Sequence, residues 1–214
     1  MGQTYALIHR LQPAALIVPN HHNAPLPGED VQTFEQDLPG ANTAGFNTQT
    51  IGGLPLETSL TMNDSWGFNL TDHDYKSLPD LIHYLVKAAG QGANLLLNIG
   101  PRPDGTIPPE AEERLRGIGE WTARFGGAIY GTRAGPIAPH SWGVTTQRGD
   151  TVFVHVLDWS DRTLSLPALP GRWKAREWPN GETVRLTQTE GGMVITLPPS
   201  AGEIIDRVVA LTRS

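Results

Sequence analysis

Glu57 is the residue around which this sequence offers chemistry. It sits in the patch Leu56-Glu57-Thr58-Ser59, and Trp66 follows shortly after. A lone carboxyl with a tryptophan and histidines nearby is what general-acid catalysis on a sugar requires. The indole gives a flat apolar face to C–H groups, imidazoles and amides hydrogen-bond hydroxyls, and the carboxylic acid protonates a leaving oxygen. His21, His22 and Asn98 supply the further polar groups. Each also has a plainer reading. Glu57 reads equally as a structural carboxylate held by backbone N–H groups, the histidines as loop residues, and Trp66 as core. Adjacent His21 and His22 do not suit a metal, since neighbouring side chains diverge and no H-x-x-x-H spacing occurs. No metal and no cofactor is expected.

The elements that must position these groups follow a recognisable rhythm. Tyr5 to Leu11 has helical spacing, begins without a cap, and reads as the tail of an element that starts earlier. Ala14 to Val18 is a short apolar run of buried-strand type, closed by Pro19 and Asn20. His21 and His22 thus follow a first strand. Residues 21 to 53 read as one long polar, glycine-rich loop carrying Glu29, Asp30, Glu35 and Asp37, and loops of that length are usually functional or disordered. Leu54 to Leu60 predicts a second strand that Glu57 ends. Ser77, with Asp80 three positions on, caps a helix whose apolar face includes Leu78, Leu81, Ile82, Leu85 and Val86. Asn94 to Ile99 predicts a third strand with Asn98 at its end, and a second long helix starts near Pro109. Alternating strands and helices of this kind predict a parallel α/β sheet, and such sheets keep chemistry at the C-terminal ends of their strands. From Trp142 onward short alternating segments separated by Asn180-Gly181 and Gly191-Gly192 predict a small antiparallel β-sandwich. Trp142, Trp159, Trp173 and Trp178 fall there and read as sandwich core or surface aromatics.

Composition narrows the function further. The chain has 214 residues and a net charge of −6, so no broad positive field exists to neutralise nucleic-acid phosphates. It carries 24 glycines and 18 prolines, which speaks for many turns, while 38% hydrophobic residues speak against disorder. Absence of cysteine removes disulfides, thiolate metal sites and a thiol nucleophile. No apolar run approaches about 18 residues, so no membrane-spanning helix is expected. Met1 to Tyr5 lacks a basic, apolar leader, and a cytoplasmic location is the default expectation.

Several motifs in order give a more specific reading. Leu56-Glu57-Thr58-Ser59, Asn63-Asp64-Ser65-Trp66-Gly67-Phe68, Asn94-Leu95-Leu96-Leu97-Asn98-Ile99-Gly100-Pro101, Ile118-Gly119-Glu120-Trp121 and Ala128-Ile129-Tyr130-Gly131-Thr132 together resemble the α-L-fucosidases of glycoside hydrolase family 29. Asn20-His21-His22 and Gly28-Glu29-Asp30 also resemble segments of bacterial members. The resemblance implies a (β/α)8-like catalytic barrel with a C-terminal β-sandwich, and removal of terminal α-L-fucose from an oligosaccharide or glycoconjugate with retention. It implies the general acid/base role for Glu57 and a place for Trp66 in the sugar pocket. His22 falls where many relatives carry an arginine near the sugar. With His21, these make the expected substrate-binding set.

The family places its nucleophilic aspartate upstream of the helix that opens this sequence. The expectation is therefore an N-terminally truncated member: residues 1–135 as the second half of the barrel, residues 136–214 as the β-sandwich. A half barrel bares two sheet edges and apolar interior, so a homo-oligomer, or association with the missing N-terminal half, is expected. A surrogate nucleophile within the chain would come from Asp30, Glu35 or Asp37. Glu35 and Asp37 rank first, because residues two apart in an extended segment project to one side. A catalytically incomplete carbohydrate-binding or assembly remnant is the rival reading.

Overall fold

The structure is a computed structural model that describes residues 2–158, 162–199 and 204–214. Trp159, one of the tryptophans singled out above, lies outside them. The chain forms two compact units, Met1–Tyr75 with Gly92–Ala111, and Lys76–Gln91 with Glu112–Ser214.

In the first unit a helix, α1 (Gly2–Leu11), precedes three strands: β1 (Gln32–Glu35), β2 (Leu56–Thr61) and β3 (Ala93–Asn98). They form a parallel sheet in the order β1-β2-β3. Its two faces are set by residue parity. Phe34, Thr58 and Leu60 turn to one side and are buried. Thr33, Glu35, Glu57, Ser59 and Leu96 take the opposite side, because Thr33 pairs with Glu57 and Ser59 with both Glu35 and Leu96.

Two expectations are corrected here. The apolar run Ala14 to Val18 is not a strand; Leu16 and Val18 are exposed and only Ile17 is buried. Its backbone is tied instead to Asp30, whose carboxylate accepts the Ile17 N–H at 2.8 Å and whose own N–H donates to the Ile17 carbonyl. The long loop is also not continuous. Gln32–Glu35 inside it forms β1, where apolar Phe34 supplies the buried face.

The second unit contains helix α2 (Leu78–Gly90), most of helix α3 (Pro109–Phe125) and all the antiparallel strands. Ser77 caps α2, its hydroxyl oxygen accepting the Asp80 N–H, and Leu81, Ile82 and Val86 make the buried stripe. The strands are β4 (Arg133–Ala134), β5 (Gly143–Arg148), β6 (Thr151–Val156), β7 (Thr163–Leu166), β8 (Trp173–Glu177), β9 (Thr183–Thr189), β10 (Gly192–Thr196) and β11 (Arg207–Arg213). They run in the order β4-β5-β6-β11-β8-β9-β10-β7. Val154 and Val209 from the middle of that order share one core with Leu166 and Ile195 from its far end. The sheet therefore folds over itself as a sandwich, with Trp142 and Trp173 packed against that core. Trp178 packs edge-on against Phe153 on the opposite face. The fold class is α/β, a partial (β/α)8-like barrel followed by an antiparallel β-sandwich.

Candidate active site

A cavity of about 650 Å³ lies over the side of the parallel sheet that carries Glu35 and Glu57. Thr33, Glu35, Glu57 and Ser59 come from β1 and β2 by strand alternation, and Leu96 joins them from β3. Val18, Pro19 and Asn20 line it from the segment before β1, and Trp66 from the segment after β2. Two carboxyls, a partly exposed indole and an amide thus meet in one concave space.

Glu35 closes β1 and is held from the Asn20 side. The Asn20 amide donates to Glu35 Oε2 at 2.6 Å, and His22 Nε2 stands 3.5 Å from the same oxygen. Asn47 Oδ1 accepts the Glu35 N–H, so the strand end is fixed from the loop that follows. Glu57 does not end its strand as expected. It is the second residue of β2, because the strand runs on through Leu60 and Thr61 into buried positions.

The remaining expected residues separate. His21 is fully engaged: its Nδ1 accepts the Asn23 N–H and its Nε2 bonds Glu29 Oε1 at 2.8 Å. It lines a small cleft with Asn23 and Glu29 that shares Pro19 and Thr33 with the main cavity, whose own lining does not include His21. Burial alone would raise the Glu29 carboxyl, but the Leu26 N–H, His21 and Tyr5 bond it and hold it below the usual glutamate value. His22 lines the same small cleft, outside the lining of the main cavity, but points its ring toward Glu35. Its backbone is left-handed at φ 55°, its ring lies 4.7 Å from that of Phe46, and Nε2 is directed at Glu35. Its Nδ1 is buried without a hydrogen-bond partner among the described residues.

Asp37 does not share the side of Glu35. The premise was an extended backbone, and Gln36 at φ 60° turns the chain between them. Asp37 is buried, and its carboxylate accepts the Thr43 and Ala44 N–H groups and the Asn47 amide. Burial pushes its pKa up, but those donors, Ala44 first, outweigh that and keep it below the ordinary aspartate value. This is the environment of a loop-organising carboxylate. Asp30 is similarly committed, to the Ile17 N–H and to His9. Among the described residues no three histidine, aspartate or glutamate side chains converge in a way that could hold a metal ion.

Sequence reading missed Thr33, Ser59 and Leu96 as cavity residues. The signal for Thr33 was present in Gln32-Thr33-Phe34-Glu35, where Thr33 and Glu35 fall on the side opposite Phe34 once the segment is recognised as a strand.

A parallel sheet that presents two carboxyls and an aromatic wall to one cavity, followed by a β-sandwich, defines a glycosidase-like α/β protein. Residues 1–127 match the family model described as alpha-L-fucosidase. An alpha-L-fucosidase of Branchiostoma floridae is 42% identical over 131 residues, 57% of this chain and 29% of that protein. The structure of alpha-L-fucosidase isoenzyme 1 from Paenibacillus thiaminolyticus superposes with a TM-score of 0.82 at 28% identity, covering 98% of this chain and 52% of that one. The Thermotoga maritima alpha-fucosidase in complex with fucose gives a TM-score of 0.76 at 27% identity, covering 97% and 47%. The chain belongs to the α-L-fucosidase family. It spans about half the length of these solved relatives.

Proposed function

We propose that this chain acts on terminal α-L-fucose of fucosylated oligosaccharides or glycoconjugates, taking the sugar into the cavity over β1–β3 and hydrolysing it with retention. In this reading residues 1–135 carry the catalytic barrel chemistry and residues 136–214 the β-sandwich. The observation that carries the reading is the placement of Glu35 and Glu57 on one cavity wall.

In this reading Glu35, and not Glu57 to which the resemblance gives the general acid/base role, takes the proton-transfer role. It stands at the C-terminal end of its strand, where barrels keep their chemistry, and Asn20 and His22 orient it. In the first step it protonates the glycosidic oxygen as the bond to the anomeric carbon breaks and a carboxylate bonds to that carbon. In the second it removes a proton from the water that displaces the carboxylate. Glu57 is the second carboxyl of the site. From strand spacing and rise its Cα lies roughly 8 Å from that of Glu35, close enough for the two side chains to flank one bond.

The reading includes a polypeptide partner. β1 and β3 each pair only with β2 among the described strands, and Leu11 (67%) and Leu16 (71%) are exposed in the same unit. Unpaired parallel edges and apolar side chains of this kind call for cover. Further fucosidase polypeptide, from a second copy or from a complementary segment, supplies it.

The direct test is hydrolysis of an aryl α-L-fucoside by the purified chain, alone and with a complementing family barrel half, alongside calorimetric binding of L-fucose. Turnover in either case supports the reading. Fucose binding without turnover in both moves the chain to a carbohydrate-binding role, and absence of both overturns it.

A further inference from the structure

Asn47 is buried, and its side-chain amide takes both backbone groups of Glu35. Its Oδ1 accepts the Glu35 N–H at 3.1 Å, and its Nδ2 donates to the Glu35 carbonyl at 2.7 Å. The same Nδ2 donates to Asp37 Oδ2 at 2.9 Å. Asp37 is itself fixed, since the Thr43 and Ala44 N–H groups donate to its carboxylate and the Thr58 hydroxyl of β2 donates to its carbonyl at 2.6 Å. An ionised carboxylate only accepts, so Asp37 decides which end of the amide faces it. With Nδ2 turned to Asp37, Oδ1 is the atom left to meet the Glu35 N–H. The carboxylate thus sets the amide, and the amide sets the backbone of Glu35 just before Gln36 turns the chain away at φ 60°. Neither Asp37 nor Asn47 lines the cavity. The network reaches the site through Glu35.

We propose that Asp37 and Asn47 are positioning residues for proton transfer, holding the Glu35 carboxyl where it can donate to the glycosidic oxygen. This rests on the reading above in which Glu35 moves the proton. A side chain keeps its place only as well as the backbone that bears it, and Glu35 is the last residue of its strand. β2 ties that strand end from one side, through the Gln36 N–H and the Ser59 carbonyl. Asn47 ties it through the two backbone groups of Glu35 itself. Asn20 holds the far end of the same residue, at Oε2. A carboxyl held at both ends starts each reaction close to the productive geometry, and an error of about 1 Å in such placement costs on the order of a hundredfold in rate.

The experiment measures kcat/KM for methyl α-L-fucoside, whose leaving group needs the proton, and for dinitrophenyl α-L-fucoside, whose leaving group does not. It uses the chain in the form that turns over, alone or with the complementing barrel half, and the variants Asn47→Ala and Asp37→Asn. Asn47→Ala is expected to lower kcat/KM on the methyl compound by about ten- to a hundredfold and on the dinitrophenyl compound by less than about threefold. Asp37→Asn shifts the two in the same unequal way by a smaller factor. Adding Asn47→Ala to Glu35→Gln lowers the rate on the methyl compound no further, since both act through one carboxyl. Circular dichroism and calorimetric binding of L-fucose show that each variant is folded with its cavity intact. Asp37→Asn keeps the side-chain shape and removes only the charge, so it carries the test if Asn47→Ala does not fold. An equal loss on both fucosides, or a loss that adds in full to that of Glu35→Gln, overturns the inference and leaves the fucosidase reading standing. If Glu35→Gln itself affects both substrates alike, the proton-transfer role of Glu35 falls and the inference with it. Absence of turnover by the unsubstituted chain, alone and complemented, overturns the inference together with the hydrolytic reading.

Discussion

Glu35 and Glu57 face one cavity from neighbouring parallel strands, with Glu35 two register positions beyond the residue that pairs with Glu57. That offset places one carboxyl at the end of its strand and the other near the beginning of the next. Two acids in one site, held differently, are the arrangement from which distinct roles arise. Their roles separate by leaving group.

Glu35→Gln is expected to slow hydrolysis of fucosides with poor leaving groups by about 10²–10⁴-fold, the usual worth of general-acid catalysis. Fucosides of activated phenols need little protonation and lose much less in the glycosylation step. Steady-state rates on both substrates check this. If Glu57→Gln shows the differential loss and Glu35→Gln does not, the proton belongs to Glu57.

A carboxylate that bonds to the anomeric carbon can be replaced by an external anion. Glu57→Ala with added azide should yield fucosyl azide if Glu57 is that carboxylate, observable by mass spectrometry of the products. No azide adduct assigns the attack to a carboxylate contributed by the complementing polypeptide.

Asp37 should tie stability to acid pH. Its folded-state pKa is lowered, so its contribution is present above the unfolded value of about 3.9 and lost as pH falls through the folded value. Asp37→Asn is expected to cost roughly 1–3 kcal/mol at pH 7, since it loses a charged acceptor for buried donors. Below about pH 4 the difference between the variant and the parent should begin to shrink and go on shrinking as pH falls through the lower folded value. Thermal unfolding at pH 7 and pH 3 measures both, and an equal difference at the two values would remove the loop-organising role.

In the second unit His155 and Asp206 are fully buried and bonded at 2.7 Å, and Thr146 bonds the other ring nitrogen at 3.1 Å. Removing one member of a buried pair leaves the other uncompensated, so Asp206→Ala is expected to destabilise by about 3–5 kcal/mol. Urea unfolding followed by tryptophan fluorescence reads the loss. A change under about 1 kcal/mol would show that the pair contributes little.

Association should be visible in solution. Sedimentation velocity at micromolar concentration is expected to give a species larger than one chain, or a complex with the complementing barrel half. Leu11→Glu with Leu16→Glu should weaken it. A stable monomer that ignores the complementing half would sink the partner proposal.

The sequence by itself determined the elements whose signals are local. Ser77 with Asp80 started α2, the apolar stripe ran through it, and Asn94 to Asn98 gave β3, because capping and burial on one face are written into residue spacing. The β segments after Trp142 were legible for the same reason, as were the motifs around Glu57 and Trp66. Tertiary structure decided the rest. β1 is only four residues long, too short for its pattern to stand out within the polar loop, and its ladder with β2 is what makes it a strand. Ala14 to Val18 looks like a strand but finds Asp30 in place of a neighbouring strand. Glu35 and Asp37 differ because one left-handed residue, Gln36, lies between them, and no local pattern marks that turn. Which carboxyl meets the cavity and which organises a loop is thus set by backbone direction and long-range donors, quantities that residue types alone do not contain.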